Sequence, residues 1–227
     1  MRERIWQALT FLVVLVLPLA IALTAVRLLL SPLFLHIEYR MPYFPRDPYG
    51  FTQQERLYWA EKARSFLLNS ENIDFLARLH FPDGRPVFDQ RELRHMVDVK
   101  RVVQGALLVW YATLAFLLGA AVAFWQRQRW AQFRRAVHRG AWLTIYAMAG
   151  LLVVVLLAFG PFFVFFHRLF FEGDTWLFPY SATLIRLFPE RFWVDAFAVA
   201  AVVSAVIGFV LAWWGHREPR QEPDERP

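Results

Sequence analysis

RELRHMVDVKRVVQGALLVWYATLAFLLGAAVAFWQ, residues 91–126, changes character at Val102. The positions before it carry Arg91, Glu92, Arg94, His95, Asp98, Lys100 and Arg101, and nothing from Val102 to Gln126 is charged. Nothing in it breaks helicity, so one helix of roughly 35 residues is expected, ~52 Å long at 1.5 Å per residue. The hydrocarbon of a bilayer takes ~30 Å of that, about 20 residues. The stretch reads as a membrane helix preceded by charged turns that the crossing does not need.

Three other apolar stretches are long enough to cross: residues 5–28, 140–166 and 196–215, beside 102–125 here. Barrel strands would be shorter and would alternate polar with apolar positions, so all four are read as helices. The first has the basic start and apolar centre of a signal peptide. It is long for one, and no small-x-small site follows, so it is read as a retained span with Pro18 as a point of bending. The expected fold class is an all-α membrane protein: a four-transmembrane-helix bundle, with an extracytoplasmic subdomain of a short helix plus a small hairpin between helices 1 and 2. The chain, residues 1–227, forms a single integral membrane domain.

Charge orients the bundle. The loop 126–139 holds Arg127, Arg129, Arg134, Arg135 and Arg139 without an acid; Arg2 and Arg4 lie at one end of the chain and Arg217 and Arg220 at the other. By the positive-inside rule both termini, 126–139 and 216–227 are cytoplasmic, and 31–101 and 167–195 are extracytoplasmic. The net charge of +6 is thereby a topology signal, and a nucleic-acid partner is not expected. Cysteine is absent, which excludes thiol nucleophiles, disulfides and cysteine-ligated metal.

The segment 31–101 is too patterned for a linker. Thr52 and Glu55 form a capping box that opens a helix to about Leu68, with Leu57, Ala60, Arg64, Leu67 and Leu68 expected on one face. Leu79–Phe81 and Val87–Phe88 flank the turn signal Pro82–Arg85, which suggests the hairpin. Asp89, with Glu92 three residues on, caps the long helix.

His95 then falls at the outer interface. Asp98 follows at i+3, Arg94 can pair with Asp98 at i+4, and Lys100 and Arg101 sit where long stems reach the headgroups. Taken alone, the set reads as a solvated helix end with anchoring charges. A second segment, FFVFFHRLFFEGDTWLFPYSATLIRLFPERFW (162–193), puts His167 among Phe162, Phe163, Phe165, Phe166, Phe170 and Phe171, also at an outer helix end. Two imidazoles on one side of the membrane suit proton transfer near neutral pH. Tyr39 and Arg40, beside His36 and Glu38, are candidate supports for that site, as is Trp176. His138 and His216 are placed on the cytoplasmic side and His80 on the hairpin.

HMVDVK (95–100), FHRLFFEGDTWLF and LIRLFPERFW together resemble the bacterial four-helix integral membrane family that contains the lipoprotein intramolecular transacylase. The resemblance covers nearly the whole chain. It implies an acyltransferase of the bacterial cytoplasmic membrane acting at the outer leaflet, with diacylglyceryl lipoprotein and membrane phospholipids as partners and no obligate protein partner. An acyl chain would move from the glycerol of the diacylglyceryl-cysteine to the cysteine α-amino group, giving the lyso form. The family's two essential histidines fall on His95 and His167. Asp98, Arg94, Lys100, Tyr39, Arg40 and Trp176 are then the supporting or substrate-orienting residues.

Ester-to-amide transfer is downhill and needs no cofactor or metal. The amine loses a proton, the tetrahedral oxyanion needs a donor, and the leaving alkoxide gains a proton. His95 is favoured as the base, with Asp98 to orient it. Two other readings stay open: a scaffold or lipid-binding protein without catalysis, and a metal-dependent hydrolase using His95, His167 and Asp98 or Asp174, for which HExxH is lacking.

Overall fold

The computed structural model describes residues 2–216. Among the described residues eight helices follow one another: α1 (Arg2–Leu29), α2 (Pro32–Glu38), α3 (Gln53–Leu68), α4 (Asp74–Ala77), α5 (Gln90–Gln126), α6 (Trp130–Phe170), α7 (Thr183–Leu187) and α8 (Glu190–His216). Helices α1, α5, α6 and α8 are each long and apolar enough to cross a membrane. They turn large apolar side chains outward, Leu108, Leu118, Leu157 and Phe209 among them. Water would penalise such a surface, and hydrocarbon does not. Of the expected cytoplasmic tail 216–227, His216 ends α8 and residues 217–227 lie outside the described residues.

α1 runs unbroken through Pro18. α6 does not run evenly. Ala158 takes φ −145°, ψ 42° inside it, three residues before Pro161. The proline lacks the N–H that would bond to the Leu157 carbonyl, and its ring crowds that carbonyl, so the helix breaks there.

The chain forms two compact units, and the four long helices contribute to both. One unit comprises the chain up to Ala25, Val109–Leu151 and the chain from Ala201. Its core is Val13, Leu17, Ile21, Ala120, Phe124, Phe133, Val137 and Ala212. Small residues bring its helices close. A Cβ on Gly140 would lie 3.0 Å from the carbonyl oxygen of Val14, the kind of approach that membrane helices use in place of a hydrophobic driving force.

The other unit comprises Val26–Leu108 and Leu152–Ala200. Its core joins α3, α4, the start of α5 and α7 through Ala63, Phe66, Leu76, Val87, Phe88, Leu93, Met96, Leu184 and Leu187. A second cluster joins α2, α3 and α8 through Phe34, Leu35, Tyr39, Ala60 and Phe192. The Thr52–Glu55 capping box forms as expected. The buried face of α3 is rotated from the expected one: it is Arg56, Ala60, Ala63 and Phe66. Arg56 lies inside because its guanidinium donates to the carbonyl of Pro45 at 2.6 Å and covers the ring of Phe44. The expected hairpin reduces to a turn with a single bridge between His80 and Pro86, and no strand forms among the described residues. The turn itself closes through Gly84 N–H to Phe81 O at 2.9 Å, with Gly84 at φ +83°.

Candidate active site

His95 is placed by the reciprocal cap that starts α5. Asp89 Oδ1 accepts from Glu92 N–H, and Glu92 Oε2 accepts from Asp89 N–H, both at 2.8 Å. Leu93 and Met96 anchor that turn in the core. His95 follows Glu92 by three residues, one turn along the same face, and is 9% exposed. His167 sits in the last turn of α6, beyond the break at Ala158, and is 8% exposed.

The two rings meet. Their centroids are 6.5 Å apart and their planes differ by 20°. Aromatic rings enclose them. Phe171 packs on both, at 4.9 Å from His95 and 5.6 Å from His167. Phe178 lies 5.4 Å from His95. Trp176 and Phe163 lie 4.8 and 4.0 Å from His167. The loop that carries Phe171, Trp176 and Phe178 turns at Gly173, where φ is +60° and side chains other than glycine are strained. The Trp176 indole N–H donates to the Gly173 carbonyl at 3.1 Å, which fixes its ring against His167.

The rings differ in their polar contacts. His167 Nδ1 is 2.8 Å from the carbonyl oxygen of Phe163. A carbonyl only accepts, so Nδ1 carries the proton, and in the neutral ring Nε2 bears the lone pair. His95 Nδ1 is buried and makes no hydrogen bond. The charged turns that hold His95 precede the apolar stretch of α5. Burial, then the adjacent His167, hold its pKa down to about 4, against a smaller opposing pull from Asp98. His95 is therefore neutral near pH 7.

Of the supporting residues named from sequence, Trp176 joins the pair and the others do not. Asp98 bonds to Arg101 at 3.0 Å, so it does not orient His95 and does not pair with Arg94, which is exposed. Lys100 does not reach toward headgroups. Its ammonium donates to Asn69 Oδ1 at 3.0 Å and to Glu71 O at 2.6 Å, 4.1 Å from the centroid of Phe66, and so ties the end of α3 to α5. Tyr39 is buried in the α2–α3–α8 cluster with its hydroxyl on the Leu187 carbonyl, and Arg40 is exposed. His36 Nδ1 is 2.9 Å from the Pro32 carbonyl and 3.9 Å from Glu61 Oε1.

Phe178 and Glu92 are the residues that the sequence reading missed. Phe178 belongs to the aromatic run after His167, and that run was the available signal. The sequence pattern marks Glu92 only as a cap, yet it is 2% exposed and its Oε1 also accepts from Leu184 N–H at 2.7 Å, in the first turn of α7.

Among the described residues no three His, Asp or Glu side chains converge to hold a metal ion. An open depression of 510 Å³ is lined by Arg168–Asp174, the residues that follow His167 in the chain. Phe171 belongs both to its lining and to the aromatic wall around the two rings.

The family model for lipoprotein intramolecular transacylase Lit matches residues 10–193. An uncharacterized protein of Aquifex aeolicus (strain VF5) is 27% identical over 199 residues, 83% of this chain and 84% of that one. Among solved structures, the in meso structure of the membrane integral lipoprotein intramolecular transacylase Lit from Bacillus cereus superposes with a TM-score of 0.71 at 18% identity, covering 94% of this chain and 96% of that one. A variant of the same enzyme with a histidine replaced by arginine gives a TM-score of 0.69, also at 18% identity, over 94% of this chain and 92% of its own. At that identity the likeness carries the fold: four long apolar helices in the arrangement of a membrane-integral protein. The match of the family model over most of the sequence carries more: this multi-pass membrane protein belongs to the lipoprotein intramolecular transacylase Lit family.

Proposed function

We propose that the chain is an intramolecular transacylase that converts a diacylglyceryl-cysteine lipoprotein to its N-acylated lyso form, with His95 and His167 as catalytic residues. The observation that supports this most is the ring pair: two imidazoles from different helices, 6.5 Å apart, shielded from solvent by aromatic side chains. A hydrolase would need a water at the reacting carbonyl. An enclosure of rings disfavours that water and suits a reaction whose nucleophile and electrophile belong to one substrate molecule.

The cysteine α-amine attacks the ester carbonyl carbon. The C–N bond forms, the C–O bond to glycerol breaks, and one proton passes from nitrogen to the glycerol oxygen. No co-reactant is consumed. His167 is the better base. Its Nδ1–H is held by the Phe163 carbonyl, so Nε2 offers its lone pair in a fixed direction. The Asp98–Arg101 pair removes the reason to prefer His95 for that role. His95, neutral because it is buried, donates an N–H to the oxyanion.

By the arginine content of 126–139, the site lies at the outer leaflet of the bacterial cytoplasmic membrane, with both termini inside. The substrate's acyl chains then lie against the outer ends of α5 and α6. Mass spectrometry of a lipoprotein's N-terminal peptide, from a bacterial host with and without this gene, tests the reading. The lyso form should appear only with the gene. An unchanged diacylglyceryl form in both hosts would leave a scaffold or lipid-binding role as the better account.

A further inference from the structure

Glu92 does more than cap its own helix. Its carboxylate is almost wholly buried, and its two oxygens serve two segments: Oε2 accepts from Asp89 N–H at 2.8 Å and Oε1 from Leu184 N–H at 2.7 Å. The second bond answers a local deficit. α7 is preceded by Ala182, an N-cap residue in extended conformation (φ −63°, ψ 141°) with no side-chain hydrogen bond to the helix. Alanine cannot accept from the free amides of a first turn, and leaving them bare inside a core is costly. Glu92 supplies the acceptor from another helix.

That bond closes a loop. The chain leaves α6 after Phe170, passes through Phe171, Trp176 and Phe178, and re-enters regular structure at α7. Those three rings are the wall around His95 and His167. Arg91 also holds this loop, donating to the Asp174 carbonyl at 2.5 Å. His95 stands one turn beyond Glu92 on α5. One carboxylate thus ties the far end of the aromatic loop to the helix that carries one of the imidazoles.

We propose that Glu92 is a positioning residue, which sets the aromatic wall against His95 and His167 by capping α7 from α5; its role in turnover rests on the transacylase reading. It touches neither ring and moves no proton in the reaction.

Glu92→Gln keeps the shape and loses one of the two acceptors. Carbethoxylation by diethylpyrocarbonate, mapped by mass spectrometry on the full chain in micelles, reads the wall directly. The labelling rates of His95 and His167 should rise by about threefold or more, with exposed His80 unchanged as the internal control. Turnover of a diacylglyceryl lipoprotein should fall in kcat by about tenfold, with KM near wild type, because the substrate still binds but the imidazoles are displaced. Ala182→Ser, added to Glu92→Gln, gives α7 its own N-cap and should restore labelling protection and kcat together. If Glu92→Gln fails to accumulate, recovery of folded protein in the double variant is the expected result, and its absence overturns the proposal. Unchanged labelling in Glu92→Gln also overturns it. So does a double variant that regains protection but not kcat, since that would place the carboxylate in the chemistry itself. If wild type shows no turnover, the transacylase reading falls, and the labelling arm still decides the role of Glu92.

Discussion

His167 holds its Nδ1 2.8 Å from the carbonyl oxygen of Phe163, one turn earlier on the same helix. That contact assigns the tautomer of one ring in the pair, and His95 has no equivalent. The difference separates their roles. His167→Ala removes the base and should lower conversion of the diacylglyceryl lipoprotein by ~10²–10⁴. His95→Ala removes an oxyanion donor, worth ~10²–10³. N-terminal mass spectrometry at matched protein level checks both. Wild-type conversion by either variant would remove that histidine from the site.

Asp98→Asn separates the structure from the simplest reading of the sequence. The carboxylate is bonded to Arg101 and 39% exposed. An exposed pair contributes ~0–1 kcal/mol. The variant should therefore stay within about twofold of wild-type turnover. A tenfold loss would show that Asp98 reaches His95 during the reaction, as the i+3 spacing first suggested.

How much of this was legible in the sequence depends on what each feature answers to. Hydrocarbon tolerates only long runs without charge, so the four long helices could be read directly. The capping boxes at Thr52 and Asp89 are local and reciprocal, and both formed. His95 and His167 stood out because imidazoles at two apolar helix ends need a reason. The choice between partners was not legible. Asp98 has Arg94 at i−4 and Arg101 at i+3, both exposed and within reach on a helix, and the pair that forms is the one with Arg101. The rotation of α3 was hidden because Arg56 is buried by contacts to Phe44 and Pro45, which no periodicity records. The wall over the histidines was half legible: the run of rings was visible, while the fold of their loop was not.

A buried ion pair outside the ring pair should matter more to stability than the exposed one. Arg186, on α7, bonds to Asp47 at 2.8 Å, with the Asp47 side chain wholly buried and the guanidinium 3.5 Å from the centroid of Phe51. Arg186→Met leaves that carboxylate with the Phe51 N–H, at 2.7 Å, as a remaining partner, at a cost of up to about 3–5 kcal/mol. Arg101→Met should cost under about 1 kcal/mol. Unfolding in detergent compares the two, and equal losses would contradict the difference in burial.

Orientation is tested without reference to the reaction. Single cysteines at Asp83 and Thr175 should react with a membrane-impermeant maleimide added to intact cells. One at Gln132 should react only after lysis. Labelling of the Gln132 position from outside would invert the arginine argument and move the ring pair to the cytoplasmic face.

The last expectation is a pH dependence of stability from Glu38. Its carboxyl, on α2, is 3% exposed and lies against Asp195 and Arg191 of α8. Arg191 donates to Asp195 at 2.7 Å, so its charge is largely committed there. Burial first, then the Asp195 carboxylate, raise the pKa of Glu38 from 4.5 to about 7, and Arg191 only partly offsets this. The sign follows from linkage. A carboxyl with a folded pKa above its unfolded one favours the fold while protonated. That contribution is complete below pH 4.5 and is lost as pH rises through about 7. The loss is at most about 3–4 kcal/mol, from 1.36 kcal/mol per unit of pKa. Wild type should therefore melt at a lower temperature at pH 8 than at pH 5.5. Glu38→Gln should flatten that difference and exceed wild type at pH 8. Melting curves in one detergent at both values decide it, with the wild-type-minus-variant difference as the readout because other groups titrate in both proteins. A difference that does not change with pH would mean that Glu38 is already ionised in the fold, with Arg191 shared between the two carboxylates.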